Sequence, residues 1–206
     1  MTQNRLPDTQ NKILMAAKTE FLELGFMGAS LRNIVKNAGV TTGAFYGYYP
    51  DKKALFDALV VTSATTLQER MSRLQENFAD MPAKFQMSDM YSFSIESLRE
   101  LFDFIYENFD AFKLLICHSA GTDYEHYIDS LVEIECANTE RFTLAMHSVG
   151  FPVADISANL NHVLANGYFS AIFEAVVHDM PRKDADEYVS GLTKFFHAGW
   201  EMILKQ

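Results

Sequence analysis

The chain has 206 residues, 49% of them hydrophobic, which is enough to bury a core as one large domain or as a small domain joined to a larger one. A formal net charge of -10 speaks against nucleic-acid binding by the chain as a whole, and no stretch approaches the ~18 uninterrupted apolar residues of a membrane-spanning helix. The opening MTQNRLPDTQ lacks the apolar segment of a secretory signal, and Cys117 and Cys136 have neither CxxC spacing nor histidine ligands beside them; the expectation is a cytoplasmic protein with no membrane partner, disulfide, metal or cofactor, its two thiols reduced and buried.

The prolines fall between apolar-periodic segments, so they mark helix boundaries. Pro7 and Asp8 open a first helix with Ile13, Ala17, Phe21 and Leu24 at helical spacing, and Gly25 is placed to end it. Ser30 is positioned to cap a short second helix carrying Leu31, Ile34, Val35 and Ala38, with Gly39 as the break after it. A third short helix is expected from Thr41 to Tyr48. Pro50 and Asp51 then start a long fourth helix through Leu55, Phe56, Leu59, Leu67, Met71, Leu74 and Phe78, ending near Pro82. Three further helices are expected over 88–107, 110–118 and 124–148, followed by two more over 154–179 and 183–204, bracketed by Pro152 and Pro181. No strand alternation, internal repeat or low-complexity tract interrupts this pattern, so the fold class is all-α with nine helices.

Charge is spread unevenly along these elements. Residues 1–56 carry seven basic side chains (Arg5, Lys12, Lys18, Arg32, Lys36, Lys52, Lys53) against four acidic ones, a net of +3, whereas the remainder carries ten basic and 23 acidic, a net of -13. A basic head on an acidic body is compatible with phosphate contact at one end.

Residues 30–49, SLRNIVKNAGVTTGAFYGYY, have the parts of a helix-turn-helix, in which one short helix braces a second whose N-terminal residues reach base edges in the major groove. Leu31, Ile34 and Val35 supply a packed face, Gly39 allows a left-handed turn, Val40 plugs the turn and Thr41 caps the next helix. Gly43 and Ala44 lack bulk that would hold that helix away from DNA.

The run GASLRNIVKNAGVTTGAFYGYYPDKKALFDAL resembles the N-terminal domain of the TetR (tetracycline-repressor) family over roughly residues 8–60. The match includes Phe26 after Gly25, the Ala38-Gly39-Val40 turn, Gly43, Phe45-Tyr46 and Lys52. Where the family often has a histidine before the closing aromatic, Gly47-Tyr48-Tyr49 stands here, so no base preference is carried over. The resemblance implies a three-helix DNA-binding domain over 1–50, with the helix-turn-helix motif at 30–49, and a ligand-binding and dimerisation domain over 51–206, in which 51–80 is the connecting helix.

It further implies a repressor that binds a palindromic operator in double-stranded DNA as a homodimer and is released by a small, largely apolar effector. Activation of transcription, or binding promoted by the effector, stays open. Ser30, Thr41, Tyr46 and Lys52 are expected at phosphates. Thr42, Gly43 and Ala44 are expected at base edges, Arg32 at either, and Tyr48 at the DNA face, with Tyr49 in the core.

The segment 154–179 carries apolar or small residues on more than one face, and the last helix repeats the pattern, so both want burial on two sides. A four-helix dimer interface is expected from two such helices of each subunit, using Leu160, Gly167, Ala171, Leu192, Phe195 and Gly199. An aromatic- and methionine-rich region before them is where the family binds inducers. The expected pocket comprises Phe102, Tyr106, Phe109, Cys117, His118, Tyr127, Phe142, Met146, His162, Phe169 and Phe173. Catalysis is the alternative class: no GxSxG, P-loop, dinucleotide-binding or HExxH motif occurs, although an acid–base pair could be assembled from Glu133, Glu135, His118 and His162. The expectation is not an enzyme.

Overall fold

The computed structural model describes residues 8–204, apart from the side chains of Lys84 and Met87. Pro7 and Arg5, which figured in the expected first helix and the basic head, lie outside the described residues. Among the described residues the chain forms nine α-helices and no strand, in the order α1 (Asp8–Gly28), α2 (Leu31–Asn37), α3 (Thr42–Tyr46), α4 (Lys52–Ala79), α5 (Ala83–Glu107), α6 (Phe109–Cys117), α7 (Tyr127–Ser148), α8 (Ala158–Val177) and α9 (Arg182–Leu204). None of these helices is long and apolar enough to cross a membrane.

Two compact units divide the chain, one running to Thr65 and including Asn108–Glu125, the other comprising Thr66–Glu107 with the residues from His126 onward. The first unit is therefore larger than the expected 1–50 head. It includes α6 because Phe112, Leu114 and Leu115 are fully buried and α6 packs on α1. Its aromatic centre is Phe21, Phe26 and Phe56. Phe56 meets the other two rings edge-on, at centroid distances of 5.2 and 5.5 Å, the arrangement that a ring quadrupole favours.

Gly25 does not end α1 outright but breaks its geometry, with φ 69 and ψ 169. That region of backbone space is essentially restricted to glycine. The break turns the amide of Phe26 out of the helix, where it donates to the carbonyl of His118 at 2.9 Å. One residue thus seats Phe26 and ties α1 to the end of α6.

In the second unit α8 packs between α7 and α9, and α9 also meets α5. A core cluster of Phe78, Phe142, Met146, Val153 and Leu204 is flanked by Phe93 and Trp200. Helix α4 contributes to both units, with Leu55, Phe56 and Val60 buried in its first half and Leu67, Met71 and Phe78 in its second. All but Val60 belong to the stripe read from the sequence, in which Leu59 was expected and is only half-buried.

Helix starts shift where local capping wins over proline punctuation. Helix α8 begins after Ser157, whose hydroxyl accepts the Leu160 amide at 3.3 Å, and not at Ala154. The amide of Ala154 is committed instead to the carbonyl of Leu204. Helix α5 begins at Ala83, five residues before the expected Ser88, because Gln86 is buried and its side-chain amide donates to the carbonyls of Ala79 and Met81, closing the α4–α5 corner.

Candidate nucleic-acid interface and ligand cavity

Helices α2 and α3 are held by a small set of buried anchors. Ile34, Val35, Phe45 and Tyr49 are buried, and Gly39 takes φ 66 in the turn between the helices. Thr41 caps α3 as expected, its hydroxyl oxygen accepting the Ala44 amide at 3.1 Å. The Ser30 side chain makes no capping bond. Glu20, buried on α1, does the bracing instead: its Oε1 accepts the Ser30 amide at 3.1 Å and the Asn33 side-chain amide at 3.3 Å.

With the anchors inward, Thr41, Thr42, Gly43, Tyr46 and Tyr48 are exposed and Ala44 is half-exposed. Tyr46 keeps 54% of its surface accessible although its neighbour Phe45 keeps none. A Cβ added to Gly43 would meet nothing within 4 Å, so its face is open. Of the residues expected at DNA, Thr41, Thr42, Gly43, Ala44, Tyr46 and Tyr48 are therefore gathered on one helix start and the turn after it, while Ser30 and Arg32 stand at the start of α2.

Lys52 is the exception. Its ammonium lies 4.5 Å from the centroid of the Phe26 ring and donates to the carbonyls of Phe26 at 2.6 Å and Ala29 at 3.0 Å. These contacts fasten the start of α4 to the end of α1. Lys12, Lys18 and Lys53 are in ion pairs with Asp8, Asp110 and Asp123. Among the described basic residues up to Phe56, Lys52, Arg32 and Lys36 are in no such ion pair, and Arg32 and Lys36 are exposed on α2.

The second unit holds a cavity of about 210 Å³ walled by α4, α5, α7, α8 and α9. Of the residues expected at a pocket, Phe142 and Phe169 line it and the others lie elsewhere. Phe109, Cys117 and His118 belong to the compact unit of the head, because α6 packs there. Cys117 is exposed and Cys136 half-buried, contrary to the expectation of two buried thiols. Phe102 and Tyr106 pack against the guanidinium of Arg182, and the Tyr106 hydroxyl donates to the carbonyl of Met180 at 2.8 Å. Tyr127, Met146 and Phe173 are buried core, and His162 faces solvent. Glu133 is exposed too, so it and His162 do not share the surroundings of Glu135, which faces the cavity.

Glu135 was weighed only as a general acid or base, and Gln75, Tyr168, His197 and Trp200 were not singled out for a pocket. They line the cavity together with Phe78, Phe93 and Phe196. The signal was present in spacing: Glu135, Asn138, Thr139 and Phe142 recur at three, four and seven residues on α7, a face otherwise directed inward. Glu135 is half-buried and lines the cavity. Burial pushes its carboxyl above the ordinary value, an effect opposed by the Gln75 amide, which donates to its Oε2 at 2.8 Å. Burial, and then the charge of Glu135, also raise the Tyr168 phenol, so it stays protonated.

The outward faces of α8 and α9 are apolar. Val163 and Phe195 keep 64% and 72% of their surface accessible, Leu160 is also exposed, and a Cβ at Gly167, Gly191 or Gly199 would meet nothing within 4 Å. Of the other residues expected at a dimer interface, Ala171 and Leu192 are half-buried. The Tyr188 hydroxyl donates to the carbonyl of Ala171 at 2.7 Å and joins the two helices.

The first unit thus presents a helix-turn-helix head of bacterial-regulator type: two short helices, a glycine turn and an exposed second-helix start. Residues 13–59, within that head, match the family described as bacterial regulatory proteins, tetR family. Among individual proteins, the chain is 29% identical over 107 residues to the uncharacterized HTH-type transcriptional regulator YdgC of Bacillus subtilis, covering 52% of each chain. It is 33% identical over 101 residues to the HTH-type transcriptional repressor BepR of Brucella suis, covering 49% of this chain and 46% of that one. The chain therefore spans about half the length of these relatives.

The likeness of fold extends further. SmeT, the repressor of the Stenotrophomonas maltophilia multidrug efflux pump SmeDEF, superposes with a TM-score of 0.59 at 17% identity, covering 97% of this chain and 94% of that one. A Clostridium perfringens putative fatty acid metabolism regulator gives 0.60 at 16% identity, covering 90% and 96%. The SmeT structure is also known as a triclosan complex.

Proposed function

We propose that the protein is a transcriptional regulator of the TetR type, a repressor that binds a palindromic operator as a homodimer and is released by a small effector in the cavity. The observation that carries this reading is the exposed, unobstructed start of α3 on a rigidly braced head that matches the family. Thr42 and Gly43 are offered to base edges, and Thr41, Tyr46 and Tyr48 flank them with hydroxyls suited to phosphate oxygens. Since Lys52 is engaged with carbonyls, Arg32 and Lys36 supply the phosphate-directed charge.

The dimer follows from the apolar face of α8 and α9. Leu160, Val163 and Phe195 need a partner, and the bare glycines Gly167 and Gly199 allow its backbone close approach. Two heads related by a two-fold axis then read half-sites about 34–36 Å apart, or a multiple of that.

Release is a shift between two arrangements with different operator affinity. Met71, Leu74, Gln75 and Phe78 of α4 wall the cavity, while Leu55 and Phe56 of the same helix are buried in the head. A ligand that displaces the second half of α4 is therefore transmitted along one continuous helix. The repressor BepR and the SmeT–triclosan complex give precedents for repression and for a small aromatic ligand.

The test is selection of genomic fragments by the purified protein at near-physiological salt. Enrichment of a palindrome that is lost in Thr42→Ala and Tyr46→Ala supports the reading. No enrichment, either alone or with cell extract supplying small molecules, overturns it.

A further inference from the structure

The cavity has a charge character that its apolar walls conceal. Among the described residues that line it there is one carboxylate, Glu135, and no lysine or arginine. Glu135 Oε2 is taken by Gln75, while its other oxygen has no hydrogen-bond partner among the described residues. The rings of Phe142, Tyr168, Phe169 and Trp200 line the same cavity. A carboxylate in such surroundings is costly unless a counter-charge or further donors meet it. No such counter-charge comes from the described walls, and an occupant is the remaining source.

We propose that the cavity takes an aromatic or alkyl monocation, an amine or quaternary ammonium compound, with its charged nitrogen at Glu135 and its apolar part among the rings. This deepens the effector reading above and rests on it. Three physical effects converge on this class. The cation neutralises the cavity's carboxylate, and ring faces attract positive charge within about 6 Å of their centroids. An anionic ligand would set like charges together in surroundings that screen them less than water does. A fatty acid or an aromatic acid is therefore disfavoured.

Size points to a compact ligand, since about 210 Å³ leaves room for one substituted ring and a small head group. His197 lies on the wall with its ring 4.5 Å from that of Tyr91.

Trp200 is the chain's single tryptophan and lines the cavity, so its fluorescence reports occupancy directly. The probes are benzyltrimethylammonium, its uncharged isostere neopentylbenzene, and 3-phenylpropanoate. They are titrated into the full chain and into Glu135→Gln, with thermal unfolding showing that the variant is folded. The expected result is that the cation binds ~10-fold or more tightly than the isostere, equivalent to ~1.4 kcal/mol, that the acid binds weakest, and that the preference for the cation falls to about one in Glu135→Gln. Equal or tighter binding of the isostere or the acid, a preference retained in Glu135→Gln, or no Trp200 response to the cation would overturn the proposal. Operator release is measured in parallel. Cation binding that leaves the operator bound would contradict the regulatory reading and leave the ligand class standing, whereas release by the neutral isostere with no preference for charge would do the reverse.

Discussion

Replacing Lys52 with methionine keeps the apolar stem and removes the ammonium, together with two charge-assisted bonds and a contact with the Phe26 ring face. A hydrogen bond to a charged group is worth ~1.5–3 kcal/mol when buried, and an exposed cation–π contact ~0.5–1 kcal/mol. Lys52 is only half-buried, so we discount the sum to ~2–3 kcal/mol. At ~2–4 °C per kcal/mol for a chain of this size, the melting temperature of Lys52→Met should fall by ~4–12 °C. Far-UV circular dichroism during heating measures the change, and operator binding well below the melting temperature should be weakened by less than ~10-fold. A melting temperature unchanged to within ~1 °C, with operator binding abolished, would refute this reasoning and return the ammonium to a phosphate.

Gly25→Ala forces a side chain into the φ 69, ψ 169 conformation and should cost ~1–3 kcal/mol, read as a lower denaturant midpoint. An unchanged midpoint would show that the α1 break relaxes freely. Phe195→Glu puts charge on the outward face of α9 and should convert the dimer to a monomer by light scattering, with far-UV circular dichroism preserved; a variant that stays dimeric places the interface elsewhere. Glu135→Gln should melt higher than wild type at neutral pH. The folded-state carboxyl is raised above its ordinary value of 4.5 by burial, so in wild type its contribution is fully present below that value and is lost as pH climbs through the raised one. The advantage of the variant should therefore shrink on acidification and vanish below the ordinary carboxylate range, and a difference independent of pH would contradict this.

The helical skeleton was legible because its signals are local. Ile13, Ala17 and Phe21 mark a buried stripe by spacing alone, and Thr41 caps α3 where the sequence placed it. The exposed side of the helix-turn-helix was legible for the same reason: once Phe45 and Tyr49 are recognised as anchors, Thr42, Gly43 and Tyr46 are left outside.

Tertiary partners are a different matter. That Lys52 reaches the carbonyls of Phe26 and Ala29, or that Glu20 and not Ser30 braces α2, depends on chain crossings with no local signature. The cavity was misjudged for a related reason. Aromatic residues on α5 and α6 are as apolar as those on α8 and α9, and only packing sends Phe102 and Phe109 elsewhere while bringing Trp200 to the wall. The face shared by Glu135 and Phe142 was readable and marked the site better than aromatic content did.

In the proposed complex the start of α3, presented twice by a dimer, recognises the operator. A hydroxyl-radical footprint on the enriched palindrome, run with wild type, Thr42→Ala and Phe195→Glu, tests it most directly. The account predicts two protected half-sites about 34–36 Å apart or a multiple of that, binding weakened by ~10-fold or more in Thr42→Ala, at ~1–3 kcal/mol for a lost base contact, and no paired footprint with Phe195→Glu. A single protected patch, or a Thr42→Ala footprint identical to wild type in extent and affinity, would contradict it.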